Sequence, residues 1–206
     1  MKITWLGHSS FLLEESTGKK IVTDPYTVDF PDVSADAVTI SHLHSDHNNY
    51  KGVGGNPAIF KELGAFEIPG IHISSALSSH GGERGDNLIF MFRIDGVDLC
   101  HLGDIGERCN IALTEVIGEV DVLMVPVGGT YTIDAETAKE YVDKLMPDIV
   151  IPMHYKSEAY SELDPVNDFL ALFDEENIEY VDGDTIEVDR AQFDGEYTKV
   201  VVFNNN

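Results

Sequence analysis

The stretch TISHLHSDHN, residues 39–48, places His42, His44, Asp46 and His47 within six consecutive positions of a chain that has eight histidines in all. Neutral imidazole and carboxylate are the donors that hold zinc, manganese and iron. On an extended backbone the two histidines of His-x-His project to the same side. Asp46 and His47 follow where the loop is expected to turn into a helix, so they address a neighbouring spot. One loop can then feed two adjacent metals. A histidine-rich surface loop is the plain alternative. Against it, the motif leaves directly from the apolar run DAVTISH (36–42), and a rigid sheet aims such loops.

Outward from this loop, the first half of the chain reads as strands joined by turns. KITWLG (2–7), FLLEE (11–15) and KKIVTD (19–24) are short, β-prone and punctuated by Gly18 and Pro25. IHISSAL (71–77), NLIFMFRI (87–94) and VDLCHLGD (97–104) continue the pattern, and the nearly unbroken apolar run in NLIFMFRI predicts burial on both faces. The rhythm then alternates. ALTEVIG (112–118) reads as a helix before the strand DVLMVPV (121–127). DAETAKEYVDKLM (134–146) has an N-cap in Asp134, with Ala138, Tyr141, Val142 and Leu145 at helical spacing. After the strand DIVIP (148–152), DPVNDFLALFDEE (164–176) reads as a helix capped by Asp164, with Pro165 at its first position. TIEVD and YTKVVVF return to strand, and the tail at 204–206 is expected to fray. This order predicts an α/β protein of helices covering sheets, in one domain spanning residues 1–206.

Composition narrows the function. Thirty-seven acidic residues against 13 basic give a formal net charge of −24, which repels phosphate backbones and anionic bilayers. Nucleic acid and membrane are therefore not expected partners. No window approaches the roughly 18 unbroken apolar residues of a membrane span, and MKITWLGHSS lacks a secretory apolar stretch. The expectation is a soluble cytoplasmic protein. Cys100 and Cys109 do not make a disulfide framework and read as small buried residues. His72 and His101 lie in strand segments and read as structural.

HLHSDH resembles the His-x-His-x-Asp-His signature of the metallo-β-lactamase superfamily, and further markers follow in the family's order: Asp24 in VTDPY, His80 in SSHGG, Asp104 in HLGDIG and His154 in IPMHY. WLGHSSFLLE, DPY, GDIG, PVGGTYTID and PMHY look like a branch of metal-dependent hydrolases related to L-ascorbate-6-phosphate lactonase, and more distantly like N-acyl-phosphatidylethanolamine phospholipase D. The resemblance implies a four-layer αββα sandwich with its site at one edge. It implies that His42, His44 and His80 hold a first divalent metal, that Asp46, His47 and His154 hold a second, and that Asp104 bridges them. A turn histidine at His80, an Asx-turn at Asp104 and a core histidine at His154 are the competing readings. Asp24 matches no ligand of the family and is expected to accept a hydrogen bond from the metal loop, fixing its orientation. His8 in GHSS is expected near the metals, outside the ligand set or against substrate.

Such a site implies hydrolysis. Two divalent cations against Asp46 and Asp104 leave excess positive charge that favours a bridging hydroxide, since metal binding lowers the pKa of water to about 7. Asp46 and Asp104 are then the catalytic carboxylates, and no Ser9 or Ser10 nucleophile is needed, because no nucleophile elbow surrounds them. The cations are expected to be zinc, with manganese, iron and nickel also suited to these ligands. The expected substrate is a small, anionic ester, lactone or phosphoester, with Lys156, Arg84 and Arg108 as candidate anion contacts and the loop GGTYT (128–132) as a candidate pocket wall. An iron-dependent oxidoreductase or dioxygenase is the second reading and a nuclease the third; diiron members commonly carry glutamate at the position of His44, so histidine there favours hydrolysis. A homo-oligomer is left open.

Overall fold

A computed structural model describes residues 1–204 of the chain. Fourteen strands run in order: β1 Lys2–Gly7, β2 Ser10–Glu14, β3 Lys20–Thr23, β4 Ala37–Thr39, β5 Ala58–Phe60, β6 Ala65–Ile68, β7 Ile71–Ser79, β8 Asp86–Ile94, β9 Val97–His101, β10 Val122–Pro126, β11 Ile149–Met153, β12 Ile178–Asp182, β13 Thr185–Glu187 and β14 Lys199–Asn204. The helices are α1 Ile111–Ile117, α2 Ala135–Leu145 and α3 Val166–Leu170. Two sheets result, one of six strands in the order β13-β1-β2-β3-β4-β5 and one of eight in the order β12-β14-β11-β10-β9-β8-β7-β6.

The alternation of side chains along each strand builds the layers. Val122 and Met124 of β10 face the six-stranded sheet and meet Ile3, Phe11, Leu13 and Ile21 between the sheets. Leu123 and Val125 of the same strand face outward and pack under Leu113 of α1, Tyr141 of α2 and Phe169 of α3. β8 divides in the same way, with Phe90 and Phe92 inward and Ile89 outward, so this run is buried on both faces. Cys100 and Cys109 are buried and unpaired.

Two packed sheets with helices over the larger one form the α/β sandwich that the sequence predicts, and the two outer faces are covered differently. The outer face of the six-stranded sheet is covered by the loop residues Phe30, Val33 and Ala35 and by a 3₁₀ turn at Tyr50–Gly52, not by an α-helix. The helix expected over 164–176 is also shorter. Pro165 is its N-cap, because the backbone of Asp164 is committed to Gly128 and Lys156, and Leu172 and Phe173 already bond three residues back. The acidic run Asp174, Glu175 and Glu176 opposes the negative end of a longer helix, and the chain turns through a 3₁₀ segment into β12. β5 and β12 carry no clear alternation, and β6 alternates over only four residues, with Phe66 and Ile68 turned toward the core; all three form because an edge is available to pair with. Asn204 closes β14; the rest of the expected frayed tail lies outside the described residues. Among the described residues no helix is long and apolar enough to cross a membrane.

Topology decides where the loops gather. β1 and β3 are each antiparallel to β2, so they run the same way, and β4 is parallel to β3. In the other sheet β7 and β9 flank β8 antiparallel, and β9, β10 and β11 are parallel. The C-terminal ends of β1, β3 and β4 therefore lie at one end of their sheet, as do those of β7, β9 and β11 in theirs.

Phe90 is 1% exposed between the two sheets. Phe90→Ala should lower the free energy of unfolding by about 3–5 kcal/mol, read as an earlier urea midpoint; a shift below about 1 kcal/mol would mean the inter-sheet core tolerates the cavity.

Candidate metal centre

Six strand ends supply the cluster. His8 follows β1, Asp24 follows β3, and the loop from Ser41 to His47 follows β4; His80 follows β7, Asp104 comes three residues after β9, and His154 follows β11. His8, Asp24 and His154 take left-handed backbone conformations, with φ of 50°, 39° and 51°. A residue in that region turns the chain sharply off its strand, at a cost of roughly 1–3 kcal/mol each, which the surrounding packing must hold in place. The expected helix at Asp46 is instead a single turn, closed by the His47 amide donating to the His44 carbonyl at 3.1 Å.

The donors converge on one carboxylate. Asp104 is 2% exposed, and its Oδ2 lies 3.2 Å from His154 Nε2, 3.3 Å from His47 Nε2, 3.6 Å from His80 Nε2 and 3.7 Å from His42 Nε2. His80 Nε2 is 3.3 Å from His44 Nδ1. Donor atoms of His42, His44 and His80 form one mutually close group within 4.8 Å, and those of His8, Asp46, His47 and His154 form another. All seven ligand candidates named in the sequence are thus brought together, and His8 joins them. His101 stays outside, accepting from the Gly103 amide and donating to the Ser9 carbonyl, and His72 pairs with Glu67 at the surface.

Hydrogen bonds set which nitrogen of each ring faces inward. Ser41 Oγ donates its one proton to Asp24 Oδ2 at 2.6 Å, so against His42 Nδ1 at 2.9 Å it accepts. His42 therefore carries its proton on Nδ1 and turns a bare Nε2 inward, where it is buried and without a partner. His47 Nδ1 likewise donates to Asp24 Oδ2 at 3.0 Å, which leaves Nε2 to face Asp104. Asp24 also accepts from the Ser41 amide at 2.7 Å, so one buried carboxylate holds the whole loop. A bare nitrogen facing a carboxylate is repulsive unless a cation or a proton stands between them. The orphaned atoms His42 Nε2, His47 Nε2 and Asp104 Oδ1 therefore fit a bound divalent cation.

The sequence matches the beta-lactamase superfamily domain over residues 2–154. The chain belongs to the metallo-β-lactamase superfamily. It is 30% identical to a UPF0173 metal-dependent hydrolase of Carboxydothermus hydrogenoformans, over 76% of this chain and 85% of that protein. It is 31% identical to another from Pyrococcus furiosus, over 80% of this chain and 89% of that protein. Among solved structures, a proposed Zn-dependent hydrolase of the metallo-beta-lactamase superfamily from Thermotoga maritima shares 44% identity, with a TM-score of 0.84 over 98% of this chain and 97% of that one. The superfamily member described here thus groups with metal-dependent hydrolases.

In this metallo-β-lactamase relative, the electrostatics separate the rings. Burial, and then the charge of His47, push His42 down to about 3, so its ring is neutral. Burial also pushes down His47, but Asp104 beside it and the hydrogen bonds to Asp104 and Asp24 hold it well above the usual histidine range. Burial raises Asp104, and the charges of His154 and His47 outweigh it, so the carboxylate stays ionised. Without a cation, a proton on His47 is what neutralises Asp104.

Two glycines escape a reading by residue chemistry. A Cβ on Gly106 would collide with the His80 carbonyl, and one on Gly128 with the His154 carbonyl. Bare backbone there lets neighbouring loops press the two histidines into place. GGTYT therefore supports His154 from behind, and its residues do not line the clefts beside the centre. Lys156 and Arg108 are exposed and outside those clefts, whereas Arg84 lines one, its Nε donating to the His80 carbonyl at 3.2 Å.

Two outcomes follow. Asp24→Asn should weaken metal binding by about 10–100-fold, measured by chelator competition; unchanged affinity would show that the loop orients its ligands unaided. Metal uptake near pH 7 should release the proton held by His47 and tighten with rising pH, by about tenfold per unit for one proton. Calorimetry in buffers of differing ionisation enthalpy checks this, and zero proton release would contradict the protonation derived for the metal-free site.

Proposed function

We propose that the protein is a dinuclear metal hydrolase acting on a small, partly apolar ester, lactone or phosphoester. The observation that carries this is the position of Asp104 Oδ2, within 3.2–3.7 Å of imidazole nitrogens that belong to both donor groups. His42, His44 and His80 would hold one cation, Asp46, His47 and His154 the other, and Asp104 would bridge. Zinc suits this nitrogen-rich set first, with manganese, iron or nickel also matched. Bound cations supply Lewis acidity toward a carbonyl or phosphoryl oxygen and make water a nucleophile near neutral pH.

The chain's own groups supply the rest. Asp104 is buried and stays ionised, which suits fixed charge better than proton carriage. The Asp46 side chain is 32% exposed, with Oδ2 3.8 Å from His47 Nε2. With Oδ2 among the cation donors, the other carboxylate oxygen is the one left to accept the proton of an attacking water and exchange it with solvent.

A cleft of about 620 Å³ opens beside His42 and His44. Leu43, Leu63, Leu77 and Leu88 wall it, and the first three are otherwise conspicuously exposed. Lys61 and Arg84 offset Glu62 and Asp86 there, so the cleft escapes the strong negative charge of the chain as a whole. Such walls suit an organic body of modest size, and the two cations suit a carboxylate or phosphate on it.

Metal analysis of untagged protein, with a hydrolysis panel of lactones, phosphodiesters, phosphonates and thioesters, tests the reading. At least one substrate class should turn over in a chelator-sensitive way. His42→Ala and Asp104→Ala should each lose bound metal and at least about a hundredfold in kcat/KM, with circular dichroism unchanged. Full turnover by both variants would refute the site.

A further inference from the structure

We propose that His8 is itself a metal ligand, so that the two cation positions differ in coordination number. The proposal rests on the dinuclear reading above and goes beyond its ligand set.

The His8 side chain is 1% exposed, yet neither Nδ1 nor Nε2 has a hydrogen-bond partner. A buried imidazole with both nitrogens unpaired is costly unless something absent from the polypeptide binds one of them. Packing fixes where the ring points. It stacks on Tyr160 with centroids 3.9 Å apart and planes 11° off parallel, and lies 4.3 Å from the His154 ring. The His8 carbonyl accepts from Trp5 Nε1 at 3.0 Å and from the His154 amide at 3.5 Å, which ties the strained residue to both neighbouring strands.

Its Nε2 lies 3.6 Å from Asp46 Oδ2, beyond hydrogen-bond range. Two donors held about 2.0–2.2 Å from one cation are themselves about 3 to 4.4 Å apart. The His8–Asp46 separation falls in that interval, as do His47–Asp46 at 3.8 Å, His47–Asp104 at 3.3 Å and His154–Asp104 at 3.2 Å. One donor atom from each of His8, Asp46, His47 and His154 lies within 4.8 Å of the others. With Asp104 this makes five protein donors, three imidazoles and two carboxylates. The other position has four: His42, His44, His80 and Asp104. Four donors match closed tetrahedral zinc. Five exceed it and suit a cation that accepts five or six ligands, such as manganese, iron or nickel.

The test titrates the metal-stripped full chain with Zn²⁺ and, separately, with Co²⁺, following affinity and the visible Co²⁺ spectrum. His8→Phe keeps a ring against Tyr160 and removes both nitrogens; His8→Gly suits the φ of 50° and leaves room for free imidazole. The unaltered chain should take two equivalents, one with the weak absorption of a higher-coordinate Co²⁺. His8→Phe should weaken that equivalent by at least about a hundredfold, shift its spectrum toward the tetrahedral form and spare the other. In His8→Gly, added imidazole should restore both affinity and spectrum, and this variant decides the matter if His8→Phe does not fold. Two equivalents in the unaltered chain with no change in the variants, or no rescue by imidazole, would sink the assignment of His8 alone. Fewer than two equivalents in the unaltered chain would sink the dinuclear reading and this proposal with it.

Discussion

A carboxylate sealed from solvent with four imidazole nitrogens around one of its oxygens is not a stable arrangement of neutral groups. Asp104 and the rings of His42, His47, His80 and His154 require positive charge at their centre. In the metal-free chain a proton on His47 supplies part of it. Divalent cations supply it fully, and in doing so return His47 to the neutral form that can ligate. Burial, tautomers and the orphaned ring nitrogens all follow from this one requirement.

The fold meets that requirement by direction. Strands that share an orientation end at the same edge, so loops far apart in sequence are delivered to one place without long connections. Left-handed residues at His8, Asp24 and His154 turn the chain off its strands within a single residue. Bare backbone at Gly106 and Gly128 then lets neighbouring loops press against His80 and His154. Asp24 fixes the remaining loop by accepting three hydrogen bonds, two from Ser41 and one from His47. It touches no candidate cation site directly, and its work is orientation.

The surroundings of the centre are asymmetric. One side opens to a leucine-walled cleft that includes Lys61 and Arg84. The other closes on a smaller aromatic pocket of about 240 Å³, where Trp5, Tyr26, Tyr155 and Tyr160 surround His8. The wider cleft thus lies beside His42 and His44, while the ring of His8 is held where solvent does not reach. Leu43, Leu63 and Leu77 keep exposed apolar surface at the wider cleft in a chain that carries a net charge of −24 overall.

Much of this was legible in the sequence, because some signals are local. Period-two alternation and the spacing of Ala138, Tyr141, Val142 and Leu145 reflect which face a residue buries, and that pattern is written along the chain. The dense donor run at 42–47 is local in the same sense, and its chemistry announces a cation whatever the fold. Signals that depend on partners were not legible. The edge strands β5, β6 and β12 exist because a neighbour offers an unpaired edge. α3 stops early because Asp164 is bonded to other loops. Phe30 and Val33 of a loop pack over the outer face of the six-stranded sheet, a contact between segments that no local pattern announces. His8 stood only as a neighbour of the site, since no spacing reveals that both its nitrogens are buried and unpaired. The sequence by itself determined the donor types, their order and the layered class, since these depend on chemistry and periodicity within a few residues. Which nitrogen faces inward, which donor atoms come close together and where a cleft opens beside them were decided only in three dimensions, because they depend on distances between segments that the chain brings together only by folding.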